Sequence, residues 1–263
     1  MNGTIARSAG FGAASLLAGL LFAAPALADG LPDRGKTRAK DGHDHPCTVS
    51  GNVGVTSDYV FRGISQTNEN QALQAAVDLT CGRFYLGVFG SSIFNGSDGT
   101  TEFDIYGGYR TKTGPVNWDL GFIYYTYPGT PTNFNADFLE LKVAASGEVW
   151  KGGTLSGTVF YSPEYTFDSG TVWTVEGTFS QVLPKVAIFT PTFSATIGSL
   201  SFEDSYFPDY TYWNVGLTLG FREKWSLDLR YSDTDLDSYG CDDLTGSGRV
   251  CDSRFVATLK YSF

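Results

Sequence analysis

The sequence predicts an all-β fold: a transmembrane, antiparallel, up-and-down β-barrel of about 12 strands, with short periplasmic turns and longer outer loops. Three observations predict it. Polarity alternates with a period of two over stretches of about ten residues. The connections between those stretches alternate between short and long. Aromatic side chains gather at both ends of the apolar face rather than along its middle.

The 263 residues are 42% hydrophobic, 15% aromatic and only 17% charged, with 32 Gly and a single Met, which argues against a helical protein. A net charge of −10 excludes the basic footprint that nucleic-acid binding requires. Beyond the N-terminus no apolar run reaches the ~20 residues of a membrane-spanning helix. Secreted β proteins and membrane barrels remain.

Residues 1–28 read as a secretory signal peptide: Arg7, a small apolar stretch from Ala9 to Leu21, then Ala26-Leu27-Ala28 as the cleavage site. Residues 29–47 are polar and of mixed charge, a flexible periplasmic arm. His43 and His45, the chain's two histidines, lie on it. Imidazole is a common metal ligand, but two histidines in such a segment are more often plain linker, so no metal is assigned. The barrel is expected over residues 48–263.

Within it, Phe103, Ile105 and Tyr109 oppose Glu102, Asp104, Tyr106 and Arg110, and Trp118, Leu120, Phe122 and Tyr124 oppose Asn117, Asp119 and Tyr125. Further on, Trp225, Leu227, Leu229 and Tyr231 oppose Asp228 and Arg230, and Phe255, Leu259, Tyr261 and Phe263 oppose Arg254 and Lys260. Phe84 to Ser92 is apolar on both faces, and the pattern does not orient it. Short connections fall near Cys81-Gly82, Thr111–Pro115, Gly147–Gly153, Leu183–Lys185 and Arg222–Lys224. Long ones fall near Gly63–Asn70, Asn95–Thr100, Pro128–Asn135, Pro163–Gly170, Leu200–Asp209 and Thr234–Asp252. Both termini then lie on the short-turn side, as in outer-membrane barrels.

A soluble β-sandwich also alternates, and the aromatics decide against it. Trp118, Tyr109, Phe179, Phe221, Trp225 and Tyr261 fall beside the short turns. Tyr59, Phe61, Phe103, Tyr124, Tyr161, Trp173, Trp213, Tyr231 and Phe255 fall toward the long loops. Two girdles around an aliphatic band match the two interfaces of a bilayer. The terminal strand ending in Phe263 resembles the signal read by the outer-membrane barrel assembly machinery.

Ser57-Asp58-Tyr59-Val60-Phe61-Arg62-Gly63-Ile64-Ser65-Gln66-Thr67 resembles the opening signature of the TorF-type porin family of proteobacteria. Asp104–Tyr109, Tyr124–Gly129 and Tyr161–Tyr165 resemble later blocks of the same family, in its order. The similarity runs from about Val49 to Phe263. It implies an outer-membrane, porin-like protein of a Gram-negative bacterium. The four cysteines and the histidine arm are not part of that pattern.

On the lumen side the expected ionisable residues are Asp58, Asp78, Glu102, Asp104, Asp119, Glu140, Glu176 and Asp228, against Arg62, Arg110, Lys142, Arg230, Arg254 and Lys260. Asp58, Arg62, Glu102, Glu140 and Glu164 are expected to line the outer mouth. Tyr106, Tyr125, Tyr127, Phe160 and Tyr212 would narrow the bore. Interleaved signs suit a solvated, mutually neutralising lining, and charged rings can also select ions. Twelve strands fall between eight, whose interior side chains fill, and sixteen, which leave an aqueous channel. The expectation is a narrow passage for small hydrophilic solutes, mildly cation-preferring because the long loops add many acids, among them Asp98, Asp204 and Asp233. Asp233, Asp235 and Asp237 have the look of a calcium site, but strand spacing explains them as well. The alternative is a structural or adhesive barrel with an occluded lumen. An enzyme is not expected: neither histidine is on a barrel position, no G-x-S-x-G occurs, and the Glu102/Asp104 spacing follows from alternation alone. No cofactor is implied, and the expected partners are outer-membrane lipid and small polar solutes.

An even number of cysteines crossing an oxidising periplasm predicts bridges. Cys241 and Cys251 flank the tip of the last long loop, and Cys47 and Cys81 both lie at the periplasmic end. Each bridge would contribute about 2–4 kcal/mol by chain entropy. Mass mapping of non-reduced peptides should find Cys241 joined to Cys251; a free thiol at either position contradicts the pairing.

Overall fold

The computed structural model describes residues 47–94, 100–130, 135–203 and 205–263. The signal peptide, the arm with His43 and His45, and the loop acids Asp98 and Asp204 lie outside the described residues. Twelve strands close into an antiparallel barrel. They are β1 (Thr48–Thr56), β4 (Ala72–Cys81), β5 (Phe84–Ile93), β6 (Thr100–Thr113), β7 (Val116–Thr126), β8 (Phe138–Trp150), β9 (Gly153–Ser162), β10 (Val172–Val182), β11 (Phe189–Phe202), β12 (Tyr210–Phe221), β13 (Trp225–Thr234) and β14 (Arg254–Ser262). Each pairs with its neighbour in sequence, and β1 pairs with β14 to close the ring. Between β1 and β4 a two-stranded ribbon, β2 (Val60–Phe61) and β3 (Ile64–Ser65), stands apart from the wall.

The period of two becomes an inside and an outside. Val53, Val55, Leu73, Val77, Leu120, Leu141, Val143, Val175 and Leu259 are exposed on the outer wall, where a hydrocarbon surround would cover them. Their neighbours in sequence turn inward. β5 is now oriented: Tyr85, Phe89, Ser91 and Ile93 are buried inside, while Phe84 and Leu86 face out.

Two of the short turns are tighter than the sequence suggests, while the one expected at Leu183–Lys185 runs on to Ile188 before β11 begins. β6 runs on to Thr113, so the turn expected at Thr111–Pro115 shrinks to Gly114-Pro115. β8 reaches Trp150 because a bulge between Glu148 and Trp150 lets its pairing with β9 continue. Gly114 and Gly152 sit in these turns at φ of +57° and +77°, where a side chain is strained.

Inside, tyrosine rings lie across the adjoining strand, and glycine makes the room. A Cβ on Gly87 would meet the Tyr106 ring at 2.3 Å, and one on Gly198 would meet the Tyr212 ring at 2.4 Å. Tyr106 thereby reaches across to donate a 2.6 Å hydrogen bond to Asp78. Gly87→Ala should displace that ring and cost about 1–3 kcal/mol, read as a lowered midpoint in urea unfolding from lipid vesicles.

Candidate pore and the hairpin that fills it

The largest departure from expectation begins at Ser57. Sequence reasoning extends the first strand through Phe61 and places Tyr59 and Phe61 on the outer girdle. Instead the chain leaves the wall after Thr56 and turns into the lumen, burying Tyr59, Val60, Phe61, Arg62 and Ile64. The reversal is a two-residue turn, Arg62-Gly63, with φ of +45° and +84°. Positive φ at both positions is the tight hairpin turn that matches strand twist. Gly63 is required on packing grounds too, since a Cβ there would meet Thr234 Cγ2 at 2.2 Å.

Polar side chains hold the ribbon in place. At its root Asp58 accepts from Ser65 Oγ (2.6 Å), Thr67 Oγ1 (2.7 Å) and the Arg254 guanidinium (3.0 Å). At its tip Arg62 grips Glu140 of β8 with two bonds of 2.7 and 3.0 Å, and Tyr125 donates to the same carboxylate at 2.9 Å. The guanidinium also lies over the rings of Phe61 (4.5 Å) and Phe160 (4.9 Å). Tyr59 donates to Glu102 of β6 at 2.7 Å. Burial opposes the charge on Arg62, yet the Glu140 carboxylate beside it, with Tyr165, Tyr212 and Tyr125 around it, holds its pKa above the usual arginine value. Burial, followed by the charge of Glu102, pushes the Tyr59 hydroxyl up.

The outer loops pack down on the ribbon. The loop after β13 carries α1 (Ser238–Thr245), capped by Asp237 accepting from the Gly240 amide at 2.8 Å. A disulfide joins Cys241 to Cys251, and Leu244 and Val250 are buried beside it. Val250 O accepts from the Ser65 amide at 2.8 Å, which stitches this loop to the ribbon. From the other side Tyr165 packs on Phe138 (4.4 Å), itself stacked on Tyr125 (4.3 Å). A second disulfide, Cys47–Cys81, closes the short-turn end of β1 and β4.

The lumen is therefore two chambers. In the outer half Asp58, Arg62, Glu102, Asp104 and Glu140 are buried, so four of the five residues expected at an open mouth are enclosed: Asp58 and Arg62 at the ribbon's root and tip, Glu102 and Glu140 on the wall against it. Glu102 and Asp104 are 0% exposed. Glu164, the fifth, is exposed on the rim, where it accepts from the Gly170 amide at 2.8 Å. In the half toward the short turns the lining is wetter, and the Arg110 side chain is 46% exposed. There Asp119 takes Arg110 (3.4 Å) and Lys142 (3.1 Å), and Asp228 takes Arg230 (3.0 Å). Glu176 accepts from Tyr212, and Lys260 stands half-buried on the same face of β14. Among the described residues, Asp78, Glu102, Asp104 and Glu176 have no base at ion-pair distance. Glu102 and Asp104 lie side by side in this dry half, an arrangement in which two buried carboxylates repel.

Sequence alone makes Gly63 the start of an outer loop. The signal for the ribbon is Arg62-Gly63 set between two short pairs, Val60-Phe61 and Ile64-Ser65.

A closed twelve-stranded barrel with this apolar wall and charged interior is a porin-like β-barrel. Its fold is similar to the KdgM porin (TM-score 0.57, 10% identity, covering 81% of this chain and 99% of that one). It is also similar to the NanC porin (TM-score 0.52, 14% identity, 82% and 99%) and to a KdgM porin in complex with disordered oligogalacturonate (TM-score 0.55, 10% identity, 82% and 99%). A comparison with curated proteins finds no match. The chain belongs to the bacterial family Gcw_chp, described as of unknown function, whose model matches residues 40–263.

Arg62→Ala should leave Glu140 buried without its base and loosen the ribbon by about 3–5 kcal/mol. Amide hydrogen exchange over residues 59–66 should accelerate while the barrel strands stay protected, and Arg62→Ala combined with Glu140→Gln should recover part of that protection.

Proposed function

We propose that the protein is an outer-membrane channel for small hydrophilic solutes, held shut in its outer half by the β2–β3 ribbon and conducting when that ribbon moves aside. The observation that carries this reading is the origin of the blockage. The wall is continuous and the lining toward the short turns is partly exposed, so the outer half is filled by the ribbon and the loops packed on it. The mutual repulsion of buried Glu102 and Asp104 favours movement, because displacing Tyr59 would return water to them. The porin likeness of the fold supports the same reading, as does the resemblance of Ser57–Thr67 to the TorF-type porins.

Passage would be mildly cation-preferring. Most lumen bases are spent on ion pairs, whereas Asp78 and Glu176 are not; Glu102 and Asp104 would add their charge once the ribbon lifts and water returns, and Lys260 is the lumen base left unpaired among the described residues. Export through the signal peptide ending near Ala28 and assembly through the strand ending at Phe263 would bring the chain to the outer membrane of a Gram-negative cell. The packed outer half favours a second reading, a structural barrel that never opens.

Planar-bilayer recording separates the two. A channel should show rare openings in the wild type and frequent ones in Arg62→Ala. Its reversal potential across a salt gradient at low ionic strength should favour cations, less so in Glu102→Gln with Glu176→Gln. Silence in the wild type and in a chain lacking residues 59–66 would leave the structural barrel. An anion-selective current would overturn the cation preference.

A further inference from the structure

The two ends of the barrel carry opposite charge. The long loops are acidic, whereas the short turns hold Arg83, Lys151, Lys185, Arg222 and Lys224 against Glu223, with Glu148 at the end of β8 turned onto the Gly152 amide at 2.9 Å. All five bases are exposed. Among the described residues, none is within ion-pair distance of an acid. They come from four of the five turns and are spread around the rim, from the β4–β5 turn to the β12–β13 turn.

Their depth is set by the aromatic residues beside them. Phe84 packs on Tyr109 (5.1 Å), Trp150 on Phe179 (5.5 Å), Phe189 on Phe221 (5.6 Å) and Trp225 on Tyr261 (5.0 Å). Such a girdle sits at the headgroup level of a bilayer, so Arg83, Lys151, Arg222 and Lys224, each next in sequence to a girdle ring, reach the phosphates, and Lys185 lies on the turn between Phe179 and Phe189. Two of them are fastened to rings on the outer wall, not to the lumen. Arg83 donates to the Tyr109 hydroxyl at 3.0 Å, and Lys224 Nζ lies 5.7 Å from the centre of the Tyr261 ring.

We infer that this basic rim is a docking surface for anionic phospholipid headgroups of the periplasmic leaflet. The chemistry is charge complementarity at fixed depth: guanidinium and ammonium groups meet phosphates that already neighbour the aromatic belt. Bases on the outward side of the rim serve lipid rather than a passing solute, since the groups they touch face away from the lumen. The inference depends on the membrane placement and is independent of whether the barrel conducts.

The test reconstitutes the full refolded chain in phosphatidylcholine vesicles and compares quenching of its tryptophans by brominated phosphatidylglycerol and brominated phosphatidylcholine. Wild type at low salt should prefer the anionic lipid by about fivefold. That preference should fall to near one at high salt, and likewise when Arg83, Lys151, Lys185, Arg222 and Lys224 are all replaced by Gln. The salt series on the wild type stands whether or not the variant folds. A wild-type preference near one, or one that the folded variant keeps, overturns the inference. Binding to peptidoglycan sacculi that depends on these bases, with no lipid preference, overturns it in favour of a wall polymer. A heat-induced gel mobility shift reports insertion separately: a chain that never inserts refutes the membrane placement itself, whereas one that inserts without lipid preference refutes the docking surface alone.

Discussion

A sheet edge has no place in hydrocarbon, because nothing there can hydrogen-bond a free amide or carbonyl. Everything else in this barrel depends on how that constraint is met where the chain's last strand returns to its first. β1 and β14 pair over Asn52–Thr56 and Thr258–Ser262. Backbone bonds between Gly51 and Phe263 (3.1 and 2.9 Å) extend the seam at one end, and Ser57 N to Ala257 O (2.9 Å) extends it at the other. Gly51 is needed there, since a Cβ would strike the Phe263 ring at 2.7 Å. Beyond the seam Thr48–Ser50 pair with β4 alone, and the Cys47–Cys81 bond covers that weakness by tying the two strands at their base.

Once the wall is closed, its interior has to be filled or wetted, and the chain does both. Twelve strands give a bore too wide for wall side chains alone to fill. The ribbon and the aromatic residues of the outer loops occupy one half, while ion pairs and tyrosine hydroxyls line the other. Tyrosine suits both halves because its ring packs and its hydroxyl still finds a carboxylate, as Tyr85 finds Asp119 at 2.7 Å.

The wall was legible because its physics is local. Alternation in β6, β7, β13 and β14 reports the inside and outside directly, and the girdle aromatics mark the strand ends. β5 was not legible: inside, Phe89 packs on Tyr59 of the ribbon and the Tyr85 ring lies under the Arg110 guanidinium, so large rings stand on the inner face as well as the outer. The ribbon was hidden for a related reason. Tyr59 and Phe61 continue the alternation of β1 without a break, and nothing in a period of two distinguishes a strand that stays in the wall from one that bends away. Parity along a strand does not give the partners of the lumen charges, because Arg62 meets Glu140 across a gap of 78 residues that no local pattern encodes.

The ribbon is rooted at both ends on the same side. Its two strands connect to Thr56 of β1 and Ala72 of β4 at the long-loop rim, while the covalent tie between Cys47 and Cys81 lies at the opposite rim. Were the barrel to conduct, a ribbon tethered at one rim would yield more readily to a push from the opposite rim, toward its own tethers, than to one that presses it onto Glu140 and Tyr125. The rim that the chain crosses between its first two wall strands would then set the direction in which the ribbon leaves.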